Sequence, residues 1–158
     1  MFKVNIYIET STKGLAKRKA AGMYVLEFIR ENGVPETRNG VLFMESTTEN
    51  EMVLELLLMA LKRIIKSCSI VVFTTNHHVF NVMKYHWLPQ WEKNGWKNAK
   101  GRTSKNMLLW QQIKEYMDMH TVTITDAEHS YNKVYMKGII EQELGREHTE
   151  SMERRKDV

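Results

Sequence analysis

The residues best suited to chemistry lie in one basic, tryptophan-rich segment, Lys84–Lys105. It carries six basic side chains against one acid and holds three of the four tryptophans. The basic residues are Lys84, Lys93, Lys97, Lys100, Arg102 and Lys105, the tryptophans are Trp87, Trp91 and Trp96, and the acid is Glu92. Lysine and arginine bind phosphates by releasing condensed counterions, which demands no strict geometry. The segment therefore predicts a polyanionic partner.

Two other reactive residue types have simpler interpretations. His77 and His78 are adjacent at the start of a predicted helix, so they point about 100° apart and are expected to lie on the surface rather than to pair on a metal. Cys68 is the only cysteine, which excludes an intramolecular disulfide and a zinc finger. Because it precedes an apolar strand, we expect it to be a buried small residue rather than a nucleophile.

Composition places the chain among ordinary globular proteins. It has 158 residues, 42% of them apolar and 27% charged, with a formal net charge of +4. The longest apolar run, Val53–Leu61, is interrupted by Glu55 and is too short to span a bilayer. We therefore expect a cytoplasmic protein with no membrane contact, and we exclude a disulfide scaffold and a disordered chain.

Apolar periodicity predicts a mixed α/β fold, a sheet flanked by helices. Three strands separated by short turns come first, and helices and strands alternate afterwards. The predicted strands are Val4–Glu9, Ala20–Ile29, Arg38–Glu45, Ser69–Thr74 and Thr121–Thr125. The predicted helices are Glu49 to about Lys66, Asn76–Lys84, Lys105–Met119 and Tyr131–Gln142. We expect the first three strands to form an antiparallel meander, residues 1–144 to form one domain, and residues 145–158 to form a flexible charged tail.

Several motifs together resemble type 1 ribonuclease H. The sequence Trp87-x3-Trp91-x2-Asn94-Gly95-Trp96-Lys97, followed by Lys105-Asn106-x2-Leu109-Trp110, is similar to the family's basic handle and the helix after it. Flanking matches are Ile6–Ser11, Thr47–Met52 with Ala60-Leu61, Val71–Asn76, and Asn132 at the start of the last helix. The resemblance covers roughly residues 3–142 and implies a five-stranded mixed sheet with a handle insertion.

The resemblance also implies a metal site, which this sequence has largely lost. The family hydrolyses the RNA strand of RNA–DNA hybrids with two divalent ions held by four carboxylates. The four matching positions hold Glu9, Val53, Thr75 and Met136, so one acid remains. Valine offers no ligand and methionine is a soft ligand unsuited to Mg²⁺. We expect Val53 and Met136 to make part of the pocket apolar, and we expect no cofactor unless residual activity retains Mg²⁺ or Mn²⁺.

Nucleic-acid contacts are better retained in the matching positions. Thr48, Asn50 and Asn106 match residues that contact the nucleic-acid backbone, and Thr47 is expected to serve only as a helix cap. Ser46 stands where many members carry arginine, which weakens one phosphate contact. The expected binding surface comprises Thr48, Asn50, Trp87, Trp91, Lys93, Trp96, Lys97, Lys100, Arg102, Lys105 and Asn106.

Three hypotheses follow. The leading one is a catalytically inactive ribonuclease H-like protein that binds an RNA–DNA hybrid or another duplex through its handle. A second is a protein-interaction or structural module in which the pocket serves only as core. A third is a residual nuclease that combines Glu9 with Asp126, Glu128 or Glu49; Glu49 lies one helical turn from Val53, about 6 Å along the axis.

Overall fold

The computed structural model describes residues 2–129, 131 and 133–156. Asn132, which the resemblance assigns to the start of the last helix, lies outside the described residues. The elements are β1 (Phe2–Thr10), β2 (Arg18–Ile29), β3 (Pro35–Thr47), α1 (Glu49–Lys62), β4 (Cys68–Phe73), α2 (His77–Lys84), α3 (Leu88–Lys93), α4 (Lys105–Met117), β5 (Thr121–Thr125) and α5 (Lys133–Lys156).

The five strands form one mixed sheet in the order β3-β2-β1-β4-β5. β1, β2 and β3 pair antiparallel, which confirms the predicted meander. β4 runs parallel to β1, and β5 runs parallel to β4. The carboxyl ends of β1, β4 and β5 therefore meet at one edge of the sheet, where their following residues come together.

Strand alternation divides the core between the two faces of the sheet. On β1, Val4, Ile6 and Ile8 pack into the larger core, which also contains buried residues of α1, α2 and α4. Tyr7 points the other way, into a smaller core completed by residues of β2 and α5. The helices thus cover both faces, as the mixed α/β prediction requires.

α1 ends four residues earlier than the sequence predicts, at Lys62. The backbone N–H of Arg63 donates to the carbonyls of Ala60 and Leu61, which closes the last turn. The Arg63 guanidinium also donates to the Tyr24 hydroxyl at 3.1 Å and to the Asn39 carbonyl at 3.0 Å. These long-range contacts bind the helix end to β2 and β3, and a local sequence pattern does not reveal them.

The basic segment contains a helix, α3, which is not among the helices predicted from the sequence. Pro89 lies in the first helical turn, where its missing N–H removes no helical hydrogen bond. The helix ends at Lys93, and the Asn94 N–H donates to the carbonyls of Gln90 and Trp91. α3 therefore gives the segment a rigid centre.

α5 runs from Lys133 to Lys156 and passes Gln142, where the sequence predicts its end. The domain boundary at residue 144 stays a prediction. None of the helices in the described part of the chain is long and apolar enough to cross a membrane.

Candidate functional site

A small cavity of about 190 Å³ opens at the carboxyl edge of the sheet. It is lined by Glu9, Phe73, Thr74, Thr75, Asp126, Ala127, Glu128 and His129. The Thr74 N–H donates to the Thr125 carbonyl at 3.1 Å, so the ends of β4 and β5 stay together. The loop after β5 then turns back over the end of β1.

Glu9 contacts His129, a residue that no sequence motif had indicated. Its Oε1 lies 3.1 Å from His129 Nε2, and the two side chains are 17% and 5% exposed. The His129 ring packs against Tyr7, with centroids 4.7 Å apart, and its edge faces Phe73 at 6.2 Å. The only acid retained in the four matching positions therefore already has a protein partner.

The four matching positions do not converge on this cavity. Thr75 is exposed and lines it with Glu9. Val53 is buried in the larger core and Met136 in the smaller core beneath α5. Neither residue lines the cavity, because both side chains pack between the helices and the sheet. The expectation that Val53 and Met136 make the cavity wall apolar is therefore wrong.

The residues present do not fit a two-ion site. Asp126 and Glu128 join Glu9 in the cavity lining, but the described residues contain no group of three or more His, Cys, Asp or Glu arranged to hold a metal ion. Mg²⁺ needs several hard oxygen ligands in near-octahedral geometry. A carboxylate bound to His129 and two acids on a separate loop do not supply them.

Thr48, not Thr47, caps α1. The Thr48 hydroxyl accepts from the Glu51 N–H at 3.2 Å, whereas Thr47 is fully buried and its hydroxyl donates to the Thr48 carbonyl. The expected capping role of Thr47 is therefore wrong by one position. Because the Thr48 hydroxyl oxygen already accepts the Glu51 N–H as the helix cap, its hydroxyl is less free to turn toward a phosphate.

A buried amide links the two helix N-termini beside this cap. Asn76 is 3% exposed, and its Oδ1 caps α2 by accepting from the Val79 N–H at 2.8 Å. Its Nδ2 donates to Glu49 Oε2 at 2.8 Å and to Asn50 Oδ1 at 2.9 Å. Glu49 Oε1 also accepts from the Gly14 N–H at 2.9 Å. Glu49 thus holds local structure together and lies outside the cavity of Glu9.

The first turn of α1 is acidic rather than basic. Glu49 and Glu51 flank Asn50 in this turn. Glu51 is nearly buried and binds Lys105 Nζ at 2.6 Å, which raises the pKa of that lysine through the hydrogen bond and the opposite charge. Negative charge beside Thr48 and Asn50 opposes a phosphate there. Lys105 is also partly committed to an ion pair.

The handle is anchored by a group of aromatic rings. Trp110 Nε1 donates to His78 Nε2 at 3.2 Å, and the Trp91 ring packs within 6.5 Å of both of these rings. His78 is half-buried, and burial lowers its pKa. The surface prediction is therefore wrong for His78, although His77 is exposed. Trp96 is buried as well, so Trp91 and Trp96 pack the handle onto the body.

The handle loop after α3 exposes its cations. Gly95 and Trp96 both adopt left-handed backbone angles, with φ of 68° and 61°. Asn98 Oδ1 accepts from the N–H groups of Lys100 and Arg102, which closes a compact turn. Exposed basic side chains in and beside this loop are Lys93, Lys97, Lys100 and Arg102. Asn106 is half-buried in the first turn of α4.

Cys68 is buried, as expected. Its thiol donates to the Lys66 carbonyl at 3.0 Å, and burial raises its pKa. The Cys68 N–H donates to His120 Nδ1 at 3.0 Å, so this pair joins the start of β4 to the residue before β5. The environment is structural and disfavours a reactive thiolate.

Sequence comparisons agree with this architecture. A sequence model of the RNase H family matches residues 2–129. A ribonuclease H of Caldicellulosiruptor saccharolyticus is 34% identical over 80 residues, which is 51% of this chain and 55% of that protein. A ribonuclease H of Lachnoclostridium phytofermentans is 29% identical over 121 residues, which is 77% of each chain.

Solved structures share the fold. LC9-RNase H1, described as a type 1 RNase H with the type 2 active-site motif, aligns with a TM-score of 0.72 at 20% identity over 90% of this chain and 72% of that one. A foamy viral protease-reverse transcriptase in complex with RNA/DNA hybrid aligns with a TM-score of 0.64 at 14% identity, over 90% of this chain and 20% of that one. At these identities the likeness concerns the fold alone.

Proposed function

The chain belongs to the RNase H family, and on that premise we propose that it binds an RNA–DNA hybrid or another duplex without hydrolysing it by the family's two-ion route. Recognition is by backbone and shape, so it depends little on base sequence. The protein needs no divalent ion for this activity. In this proposal the handle binds the nucleic acid, and the cavity beside Glu9 takes no part in catalysis.

The contact between Glu9 and His129 carries the proposal. A carboxylate 17% exposed and 3.1 Å from a buried imidazole is held as a structural acceptor. An incoming ion has to displace that histidine and find further hard ligands, yet Val53 and Met136 are packed in the core. Asp126 and Glu128 follow β5 and line the same cavity, but within the described part of the chain they form with Glu9 no group arranged to hold a metal ion.

The exposed cations of the handle support the binding half of the proposal. Lys97, Lys100 and Arg102 lie on or beside one compact turn, while Lys105 is shared with Glu51. Each lysine or arginine that neutralises a phosphate releases a counterion and adds to the salt dependence of binding. We therefore assign the main phosphate contacts to Lys93, Lys97, Lys100 and Arg102, with a smaller contribution from Lys105.

Fluorescence anisotropy with a labelled RNA–DNA hybrid tests the binding half. We compare wild type with the triple variant K97Q/K100Q/R102Q over about 50 to 200 mM salt, where binding falls steeply. The variant is expected to bind more weakly and to reduce the salt slope by about three units, since each lost phosphate contact removes about one. No binding by wild type at low salt contradicts the proposal and favours the protein-interaction module.

A charge-matched control distinguishes loss of the handle contacts from a general loss of positive charge. K3Q/K62Q/K137Q also removes three exposed positive charges, from β1, α1 and α5. It is expected to retain the wild-type salt slope apart from a small long-range effect. Equal weakening by both triple variants contradicts assignment of the contacts to the handle.

A residual nuclease is the second candidate function, because Asp126 and Glu128 line the same cavity as Glu9. If a rearranged site operates, D126N or E128Q removes Mn²⁺-dependent cleavage of the hybrid while binding persists. E49Q serves as the control, since Glu49 binds Asn76 and Gly14 outside this cavity.

A further inference from the structure

Two aromatic rings at the start of the handle remain exposed. Tyr85 is 59% exposed and Trp87 is 37% exposed. Their rings lie 6.2 Å apart and only 25° from parallel. In contrast, Trp91, Trp96 and Trp110 pack against the body of the protein. Large exposed rings of this kind favour a ligand with a flat apolar face.

The backbone holds this pair in place. His86, which separates the two aromatic residues in the sequence, has φ of 54°, a conformation that residues other than glycine rarely adopt. The Trp87 N–H donates to the Val82 carbonyl at 3.1 Å, which fixes the chain at the end of α2. Trp87 is backed by Trp91 with ring centroids 6.1 Å apart. The exposed rings are therefore presented on a rigid support.

Positive charge adjoins the rings. Lys84 Nζ lies 5.8 Å from the Tyr85 ring centroid and 5.1 Å from that of Phe80. The chain then leads through α3 to the exposed cations of the handle loop. An aromatic face next to a basic surface is the arrangement that binds single-stranded nucleic acid, with bases on the rings and phosphates on the cations.

The charge at α1 limits how a duplex lies on the protein. Glu49 and Glu51 flank Asn50, so phosphates of a second strand are disfavoured near this helix start. A base pair inside a duplex presents edges rather than faces to a protein, whereas an unpaired base offers its face for stacking. The exposed rings and the acidic start of α1 therefore both favour a ligand with unpaired bases.

We propose that Tyr85 and Trp87 form a stacking platform for unpaired nucleobases, so that the preferred ligand is a duplex that continues as a single strand. This inference rests on the proposed function and names its ligand class. The handle cations hold the backbone at the junction, and the extension passes over the two rings.

Anisotropy titrations compare a blunt RNA–DNA hybrid with the same hybrid carrying a single-stranded extension of about four nucleotides, at one salt concentration. The extension is expected to tighten binding by wild type about fivefold or more, which is the lower end of the contribution of one stacked base. Y85L keeps an apolar side chain but removes the ring, and it is expected to lose this gain. Y85F restores the ring and the gain. Quenching of tryptophan fluorescence by the extension gives a second readout, because Trp87 is exposed.

Y135L is the matched control, since Tyr135 is similarly exposed on α5. It is expected to keep the full preference for the extended hybrid. Equal affinity of wild type for the blunt and extended hybrids overturns the platform but leaves the proposed function standing. A preference that survives Y85L unchanged also overturns it. Failure of wild type to bind either hybrid overturns the proposed function together with this inference.

Discussion

The hydrogen bond between Glu9 and His129 is expected to stabilise the fold, and a double-mutant cycle measures how much. E9A removes the acceptor at 3.1 Å from His129 Nε2. The other ring nitrogen, Nδ1, is buried without a hydrogen-bond partner in the structure described. E9A therefore leaves both nitrogens of a buried ring unpaired, and an unpaired buried group costs about 1–3 kcal/mol.

The second arm of the cycle replaces the imidazole by a hydrocarbon ring. H129F preserves packing against Tyr7, whose ring centroid lies 4.7 Å away. It leaves Glu9 without this partner, but that carboxylate keeps some contact with water. Removing both partners together is expected to cost less than the sum of the single changes, with a coupling of about 1–2 kcal/mol.

Urea denaturation of wild type, E9A, H129F and E9A/H129F gives the four free energies of unfolding. For a chain of this size, 1 kcal/mol corresponds to a shift in Tm of about 2–4 °C, so thermal melts provide a check. Additive effects, with coupling below about 0.3 kcal/mol, contradict the reasoning because they mean that the contact contributes nothing to stability. In that case the contact with His129 does not explain why Glu9 is present.

Three further predictions concern other described contacts. N76A is expected to lower the free energy of unfolding by about 2–3 kcal/mol in urea titrations, because it removes the cap of α2 and the amide that donates to Glu49 and Asn50. Burial lowers the pKa of His78 below its usual 6.5, so the unfolded chain takes up the proton first. The stability contributed by neutral His78 is therefore complete above about pH 6.5 and is lost on acidification. H78Q is expected to reduce the dependence of Tm on pH in this range. E51Q releases Lys105 from its ion pair and removes an acid, so hybrid binding in anisotropy titrations should tighten by a few fold.

Each of these predictions has a matched control. N94A changes an exposed asparagine and should leave the free energy of unfolding nearly unchanged. H77Q changes the exposed neighbour of His78 and should retain the wild-type pH slope. E115Q removes the same charge from an exposed position on α4 and should alter hybrid affinity less than E51Q. Any control that behaves like its paired variant contradicts the contact assigned to that variant.

The strands were predictable because their signals are local. Alternation in β1 sends Ile6 and Tyr7 to opposite faces, and the structure confirms this division of the core. The antiparallel order of the first three strands followed from short turns between apolar runs. The helix α3 was not predicted, although Pro89 lies in its first turn, where a proline is compatible with a helix.

The candidate site was less accessible to sequence reasoning. Asp126 and Glu128 were proposed as acids that act with Glu9 in a residual nuclease, and they do line its cavity. His129 was missed, although it directly follows those acids, because the contact joins residues 120 positions apart. Asn76 was missed as a helix cap even though asparagine before a helix is a recognised signal. The pairing of Glu51 with Lys105 depends on the packing of α1 against α4, which no local pattern reveals.

Single-turnover incubation of a labelled RNA–DNA hybrid with excess protein shows whether the protein binds the hybrid without hydrolysing it. Binding is first verified by anisotropy in the same buffer, and the RNA strand is then analysed by gel after addition of Mg²⁺ or Mn²⁺. We expect a bound hybrid whose RNA strand stays intact with either ion. Metal-dependent cleavage that E9Q abolishes contradicts it, because Glu9 is then a catalytic carboxylate rather than the structural partner of His129.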